Sequence, residues 1–233
     1  MRKPEGAIIV LDGSAPARAE LDAAWPGWDR HADLVIAADG GARLADSLGL
    51  TIRQWVGDGD SLGPDGVADL RARGLDIELA PVDKDASDAE LAVLAAVDSG
   101  ARRIVIIGAL GGARPDHALA NVALLSHPAL AGHQVEILDA VARIRLAIGV
   151  VGAGVASRAR IDLSGRLGDV VSLIPLETAS GVTTHGLKFS LNRGRLDVGL
   201  SRGLSNVRVL PDAWLTIGEG RVLVVECPAT LLP

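Results

Sequence analysis

The stretch LVIAADGGARLADSLG, Leu34–Gly49, contains a complete strand–turn–helix unit. The apolar run Leu34–Ala38 predicts a buried strand, and the following Asp39-Gly40-Gly41 predicts a turn. The helical pattern over Ala42–Leu48 ends at Gly49, where a glycine just past a helix is expected. A strand that leads directly into a helix is the repeating unit of a parallel sheet.

The same unit recurs through the first part of the chain. Apolar runs predict strands, and the stretches between them carry helical patterns that begin near a proline or end before a glycine. This alternation predicts an α/β fold, a Rossmann-like parallel sheet with helices on both faces. The expected strands are Ala7–Leu11, Leu34–Ala38, Trp55–Val56, Asp76–Ala80, Arg103–Ile107 and Gln134–Leu138, and the expected helices are Ala42–Leu48, Pro64–Arg73, Ala89–Ser99 and Ala118–Leu125.

From about Val141 the pattern changes to short β segments separated by Gly, Pro and Asn, without a clear helix. Gly218-Glu219-Gly220, between two apolar runs, is typical of a hairpin. We therefore expect two domains, 1–140 and 141–233, the second a small antiparallel β-sandwich or barrel. Its expected strands are Ala142–Ile148, Arg158–Leu163, Asp169–Ile174, Val182–Thr184, Asn206–Val209, Trp214–Ile217 and Arg221–Val225.

Composition excludes several classes of function. The 233 residues carry a net charge of −6, which argues against a nucleic-acid partner because a phosphate-backbone binder needs a basic face. A single cysteine excludes a disulfide framework within the chain. No apolar run approaches the ~18 residues of a membrane span, so we expect a cytoplasmic protein with no membrane partner.

Acidic side chains follow the predicted strands of the first domain. Because the carboxyl ends of parallel strands meet at one edge of a sheet, and open α/β sheets bind ligands there, these side chains should share one crevice. Lys84, Arg114, His117 and many glycines lie in the same loops. The aspartates concerned are Asp39, Asp58, Asp60, Asp83, Asp85, Asp88 and Asp116.

Such a crevice favours Mg²⁺ and a polyphosphate. Carboxylates gathered in one place repel each other, and a divalent cation relieves that cost while bridging phosphate oxygens. Glycine lets backbone N–H groups approach phosphates, and Lys84 and Arg114 can neutralise their charge. The Walker pattern, the GxGxxG fingerprint and the zinc-protease and serine-hydrolase motifs are all absent.

Each motif also has an ordinary structural interpretation. Asp39-Gly40-Gly41 alone is typical of a turn, and Ser87 or Asp88 can simply cap the helix that follows. His117 can be a helix-start residue with no ligand. The four tryptophans are expected to anchor a core or an interface rather than to catalyse; they are Trp25, Trp28, Trp55 and Trp214.

The order of the motifs resembles the thiamine pyrophosphokinase family. The first domain carries ADGGA (Ala38–Ala42), GDGDS (Gly57–Ser61), DKDASDAE (Asp83–Glu90) and GALGGARPDHALAN (Gly108–Asn121) in that order. The second domain is similar to that family in GDVVSLIPL (Gly168–Leu176), GVTTHGLKFSL (Gly181–Leu191) and SRGLSN (Ser201–Asn206).

This resemblance implies an α/β nucleotide-binding catalytic domain followed by a β-sandwich domain for thiamine binding and dimerisation. It implies a homodimer that transfers the diphosphate of ATP to the thiamine hydroxyl, giving thiamine diphosphate and AMP, with Mg²⁺ as cofactor. Two other functions stay open: a diphosphokinase for another heterocyclic alcohol such as a pterin, and a non-catalytic protein that binds nucleotide or thiamine.

The resemblance also assigns roles to residues. It makes Asp58, Asp60 and Asp88 metal ligands and, together with Asp116, the catalytic carboxylates, with Asp60 or Asp116 as proton acceptor. Ser205 and Asn206 match the family's thiamine contacts. The expected ATP contacts are Asp39, Gly40, Gly41, Lys84, Gly111, Gly112, Arg114, His117 and Asn121.

The sequence departs from the family pattern at four positions. Gly59 stands where a bulky apolar residue is common, which loosens the loop that aims Asp58 and Asp60. Ala113 is one extra residue before Arg114, Ser87 replaces the usual Thr, and Val207 replaces an acidic residue after the Ser-Asn pair.

Overall fold

The computed structural model describes residues 3–30, 32–79, 81, 85–149 and 159–231. The chain divides into two compact units, Met1–Ala140 and Val141–Pro233. Each unit has a hydrophobic core of its own.

Unit 1 is built on parallel strands joined by helices. Its strands run in the order β6-β5-β1-β2-β3-β4, and every pair of neighbours is parallel. The predicted α/β class is confirmed. The elements are β1 Gly6–Val10, α1 Arg18–Ala24, β2 Leu34–Ala38, α2 Gly41–Ser47, β3 Gln54–Gly57, α3 Gly63–Ala72, β4 Asp76–Leu79, α4 Asp88–Asp98, β5 Arg103–Ile107, α5 Pro115–Ala123 and β6 Gln134–Asp139, with short 3₁₀ turns at Leu124–Ser126 and Pro128–Leu130.

Burial along the sheet follows strand position. The central strand β1 is buried at every residue, as its unbroken apolar run predicts, because helices cover a parallel sheet. The edge strand β4 is mostly exposed, which explains its weak sequence signal. The core includes Trp25, Trp28 and Trp55, which confirms the expectation that these three are anchors.

Unit 2 contains two antiparallel sheets, ordered β12-β9-β14-β7 and β11-β10-β13-β8. Apolar side chains from both sheets form one shared core, so the unit is a sandwich rather than a barrel. Its elements are β7 Ala142–Gly149, β8 Ala159–Leu163, β9 Val170–Pro175, β10 Ala179–His185, β11 Gly194–Leu196, β12 Asn206–Val207, β13 Ala213–Ile217, β14 Gly220–Cys227 and a 3₁₀ turn at Ala229–Leu231.

The structure contains two elements that the sequence did not predict. Helix α1 buries only Leu21 and begins after Ala17, so it lacks both an apolar stripe and a polar N-cap side chain. The short strand β11 was also missed, and β12 covers only Asn206–Val207 of the expected Asn206–Val209. Within the described ranges every helix is too short or too polar to cross a lipid bilayer.

The position of β2 gives a testable prediction. Ile36 in β2 is fully buried, whereas Leu79 in edge strand β4 is 50% exposed. We expect Ile36→Ala to lower the free energy of unfolding by about 2–5 kcal/mol, from lost apolar contact and the cavity left behind. Leu79→Ala should cost less than about 1 kcal/mol. Denaturant unfolding followed by tryptophan fluorescence measures both, and equal costs would contradict the central place of β2.

Candidate active site

Loops at the carboxyl edge of the unit 1 sheet bring three carboxylates together. Asp39 follows β2, and Asp58 and Asp60 follow β3. One carboxylate oxygen from each lies within 4.8 Å of the others. The parallel pairing of Ala38 with Val56 causes this, since it ends the two strands side by side.

Asp39 is fixed through its backbone and its side chain. Its φ of +47° lies in the left-handed region, which aspartate tolerates better than most residues. Its N–H donates to the Val56 carbonyl at 2.9 Å, and its own carbonyl accepts from the Trp55 indole N–H at 3.0 Å. The Ser61 hydroxyl donates to Asp39 Oδ2.

The Asp58–Ser61 turn aims the other two carboxylates. Asp58 Oδ1 accepts from the backbone N–H of Asp60 at 3.0 Å, and the Ser61 hydroxyl lies 3.2 Å from Asp60 Oδ1. Gly59 has a φ of +84°, and a Cβ at this position would lie 3.0 Å from Val67 Cγ2. The departure at Gly59 therefore suits this turn, which has little room for a bulky residue.

Burial and neighbouring carboxylates disfavour the charged form of Asp39. Its Oδ1 is buried and has no hydrogen-bond partner among the described residues. Burial raises the pKa of Asp39 above its ordinary value, and the hydrogen bond from Ser61 opposes that change. Negative charge on neighbouring carboxylates raises the pKa further, namely Asp60, Asp88 and Asp58.

Asp88 approaches the cluster from the start of α4. The Ser87 hydroxyl caps this helix by accepting from the Glu90 N–H at 3.2 Å, as one of the two structural interpretations predicted. Asp88 is in the first helical turn, and its charge acts on Asp39. It lies near the cluster but outside the group of Asp39, Asp58 and Asp60.

Gly41 is required by packing, because a Cβ there would collide with the backbone carbonyl of Val10. A Cβ on Gly40 would meet the carboxylate of Asp12, the end of a half-exposed side chain that can move aside. Both glycines are buried where α2 begins against the end of β1. Helix α2 has seven residues. Contact between ATP and these two glycines stays a prediction.

The loop after β5 holds an exposed ion pair. Arg114 donates from Nε to Asp116 Oδ1 at 3.0 Å and from Nη2 to Oδ2 at 2.6 Å. The bonds from Arg114 lower the pKa of Asp116 to about 2. Asn121 donates to the Ala109 carbonyl at 2.9 Å and so ties α5 to this loop. Gly111, Gly112 and His117 are exposed.

In unit 2 the predicted thiamine contacts have different surroundings. Ser205 is exposed and has a φ of +56°. Asn206 is buried, and its Oδ1 accepts from the Phe189 and Val207 N–H groups, both at 2.9 Å. Its Nδ2 donates to the Phe189 carbonyl at 2.6 Å, so this amide holds the Phe189 backbone in place.

Two of the expected site residues, Lys84 and Asp83, lie outside the described residues. Other parts of the site were not predicted from the sequence. Ser61 was expected only as part of a turn, although a hydroxyl directly after two aspartates was a usable signal. The bond from Trp55 to Asp39 had no local signal, because it joins neighbouring strands.

Comparison with known families covers most of the chain. A model described as thiamin pyrophosphokinase, catalytic domain, matches residues 27–137. A second, described as thiamin pyrophosphokinase, vitamin B1 binding domain, matches residues 158–220. The chain belongs to the thiamin pyrophosphokinase family. It is accordingly an enzyme, and the catalytic-domain match contains the Asp39, Asp58 and Asp60 cluster.

Solved structures share the thiamin pyrophosphokinase fold. Thiamine pyrophosphokinase from Bacillus subtilis is 22% identical, with 96% of this chain and 99% of that chain covered and a TM-score of 0.77. A family protein from Enterococcus faecalis is 23% identical, with 94% and 97% covered and a TM-score of 0.76. The enzyme from Geobacillus thermodenitrificans is 25% identical, with 97% and 100% covered and a TM-score of 0.74. A search of curated proteins finds no match.

The raised pKa of Asp39 predicts a stability effect. A carboxyl whose pKa is higher in the folded than in the unfolded protein destabilises the fold once it is ionised. Asp39→Asn removes that charge, tolerates the left-handed backbone, and can donate to the neighbouring carboxylates. We therefore expect a higher Tm than wild type at pH 7 in a chelator.

Lowering the pH provides the control for this substitution. Protonation relieves the cost in the wild type, so the Tm advantage should shrink as pH falls through the raised pKa of Asp39 towards 3.8. Thermal melts of both proteins across this range check the sign. A wild type that melts higher than Asp39→Asn at pH 7 would contradict the proposed charge cost.

Proposed function

We propose that this protein transfers diphosphate from ATP to the hydroxyl of thiamine, giving thiamine diphosphate and AMP, and that Mg²⁺ is required. The observation that carries the proposal is the cluster of Asp39, Asp58 and Asp60, with one buried oxygen lacking a hydrogen-bond partner among the described residues. Family membership supplies the substrate class, and the cluster supplies a place for the chemistry.

The side chains present fit Mg²⁺. They offer hard carboxylate oxygens and no sulfur or imidazole, which is the donor set that this ion prefers. Asp39, Asp58 and Asp60 would hold it, with Asp88 close enough to add charge. A Mg²⁺ ion held there would supply positive charge to offset the charge that develops on the phosphates during transfer. Asp39 is added to the expected ligands because its Oδ1 lacks a hydrogen-bond partner in the described chain.

The proposed reaction also involves Asp60, Arg114 and Asp116. Bonds from Arg114 lower the pKa of Asp116 to about 2 and weaken it as a proton acceptor, and they are lost when Arg114 binds a phosphate. The thiamine hydroxyl proton therefore has two candidate acceptors, Asp116 and the exposed Asp60. Arg114 would exchange the Asp116 carboxylate for a phosphate, since its guanidinium binds either group through the same paired bonds.

The second domain completes the proposal. Ser205, exposed on a turn, would contact thiamine, and Asn206 would act by holding the adjoining Phe189 backbone. The vitamin B1 binding match over residues 158–220 supports this assignment. A homodimer is proposed on the resemblance of the motifs alone, and the cytoplasmic location expected from the sequence stays a prediction.

The products of the reaction test the proposal. Purified protein incubated with ATP, Mg²⁺ and thiamine should give AMP and thiamine diphosphate in equal amounts by chromatography. ADP with thiamine monophosphate would mean transfer of one phosphoryl group. A product with a pterin alcohol but not with thiamine would favour the related diphosphokinase, and binding without turnover would favour a non-catalytic role.

Charge-neutral variants test the cluster in the same assay. Asp58→Asn should reduce kcat by roughly 10²–10³-fold or more, because it removes a group that stabilises developing charge. Asp76→Asn makes the same change at the exposed start of β4 and should leave kcat within about twofold, as expected for a surface site. Similar activity in the two variants would contradict the role of the cluster.

A further inference from the structure

Trp55 packs against the backbone that carries the carboxylate cluster. It is fully buried in β3, within the core of unit 1. Its indole N–H donates to the Asp39 carbonyl at 3.0 Å. Its ring also lies against the following turn, since a Cβ on Gly57 would approach the ring to 2.8 Å and one on Gly59 to 4.0 Å.

We propose that Trp55 is a positioning residue that sets the geometry of the cluster from the core side, an inference that rests on the proposed function. Its N–H fixes the left-handed backbone of Asp39, and its ring sets the path of the turn that carries Asp58 and Asp60. Trp55 touches neither substrate nor metal in this account, and it acts through these aspartates.

The contacts around the turn explain why this position matters. Gly57 passes between the indole and Asp39, because a Cβ there would be 2.8 Å from the ring and 3.3 Å from the Asp39 Cα. Gly59 has no side chain, and the turn has little room for one, because a Cβ there would lie 3.0 Å from Val67 Cγ2 and 4.0 Å from the Trp55 ring. The contact of the Trp55 ring with the turn is therefore not shared with a side chain at position 59.

Asp39 has few other restraints on its backbone. Its N–H donates to Val56 at 2.9 Å, and its carbonyl accepts from Trp55 at 3.0 Å and from the Ala42 N–H at 3.4 Å. Loss of the indole bond therefore leaves only the longer bond on the carbonyl of a residue in a sparsely populated conformation. A small rotation there would move Asp39 Oδ1 relative to Asp58 and Asp60. Trp55→Phe removes the indole N–H donor and so the bond to Asp39, while it retains an aromatic ring.

The chain offers a matched control in Trp25. Trp25 is buried in the same core, and its indole N–H donates to a backbone carbonyl, that of Asp139, at 2.8 Å. Trp25→Phe therefore removes the same kind of bond from the same core at a distance from the cluster. A purely structural role predicts the same consequences for the two variants.

Metal binding to the full-length protein without nucleotide provides the test. We expect Trp55→Phe to weaken Mn²⁺ binding, measured by electron paramagnetic resonance, by about three- to tenfold, the effect of one buried hydrogen bond. Trp25→Phe should change it by less than about twofold. Equal weakening, or none, in the two variants would overturn the proposal.

A double variant shows whether Trp55 acts through Asp39. If it does, adding Trp55→Phe to Asp39→Asn should weaken Mn²⁺ binding by less than about twofold beyond Asp39→Asn alone, because coupled residues are non-additive. A full additional three- to tenfold loss, the size expected for an independent hydrogen bond, would overturn the proposal.

A measurement on the wild type avoids dependence on variants that fail to fold. In protein labelled with ¹⁵N at tryptophan, Mg²⁺ should shift the assigned Trp55 indole N–H signal and leave that of Trp25 in place. An unmoved Trp55 signal would overturn the inference. The product assay is separate: wild type that binds Mn²⁺ but makes no thiamine diphosphate would overturn the proposed function alone.

Discussion

The mutual repulsion of Asp39, Asp58 and Asp60 is the constraint around which the catalytic unit is arranged. Parallel pairing of β2 with β3 ends both strands at one level and leaves these carboxylates side by side. Partial burial of Asp39 makes the arrangement costlier, since it disfavours the charged form. In the proposed function a cation held by these carboxylates would offset that cost, which would link stability to function.

The surrounding packing holds that cluster in one geometry. The indole of Trp55 donates to Asp39 from the core side and packs against the Asp58–Ser61 turn. The Ser61 hydroxyl bridges Asp39 and Asp60 at the surface. Gly41 allows α2 to start tightly against the Val10 backbone at the end of β1. Rigid placement matters because catalysis by charge depends on donors and ligands that are positioned before the substrate arrives.

The sequence predicted the parts of this arrangement that depend on local pattern. Alternating strands and helices indicated the parallel sheet, and the aspartates after β2 and β3 are the ones that the structure brings together. The left-handed backbone of Asp39, the Trp55 bond to Asp39 and the pairing of Arg114 with Asp116 had no signal in the pattern that was used. Helix α1 was missed because it buries only Leu21 and its N-cap residue is Ala17, although the Glu20 carboxylate accepts from the Ala17 N–H at 2.8 Å.

Anomalous diffraction from crystals grown with Mn²⁺ and a non-hydrolysable ATP analogue would show which carboxylates hold the metal. Manganese takes the same oxygen ligands as magnesium and can be located without ambiguity. We expect an anomalous peak coordinated by Asp39, Asp58 and Asp60 together with phosphate oxygens. A peak whose protein ligands include none of these three carboxylates would contradict this expectation.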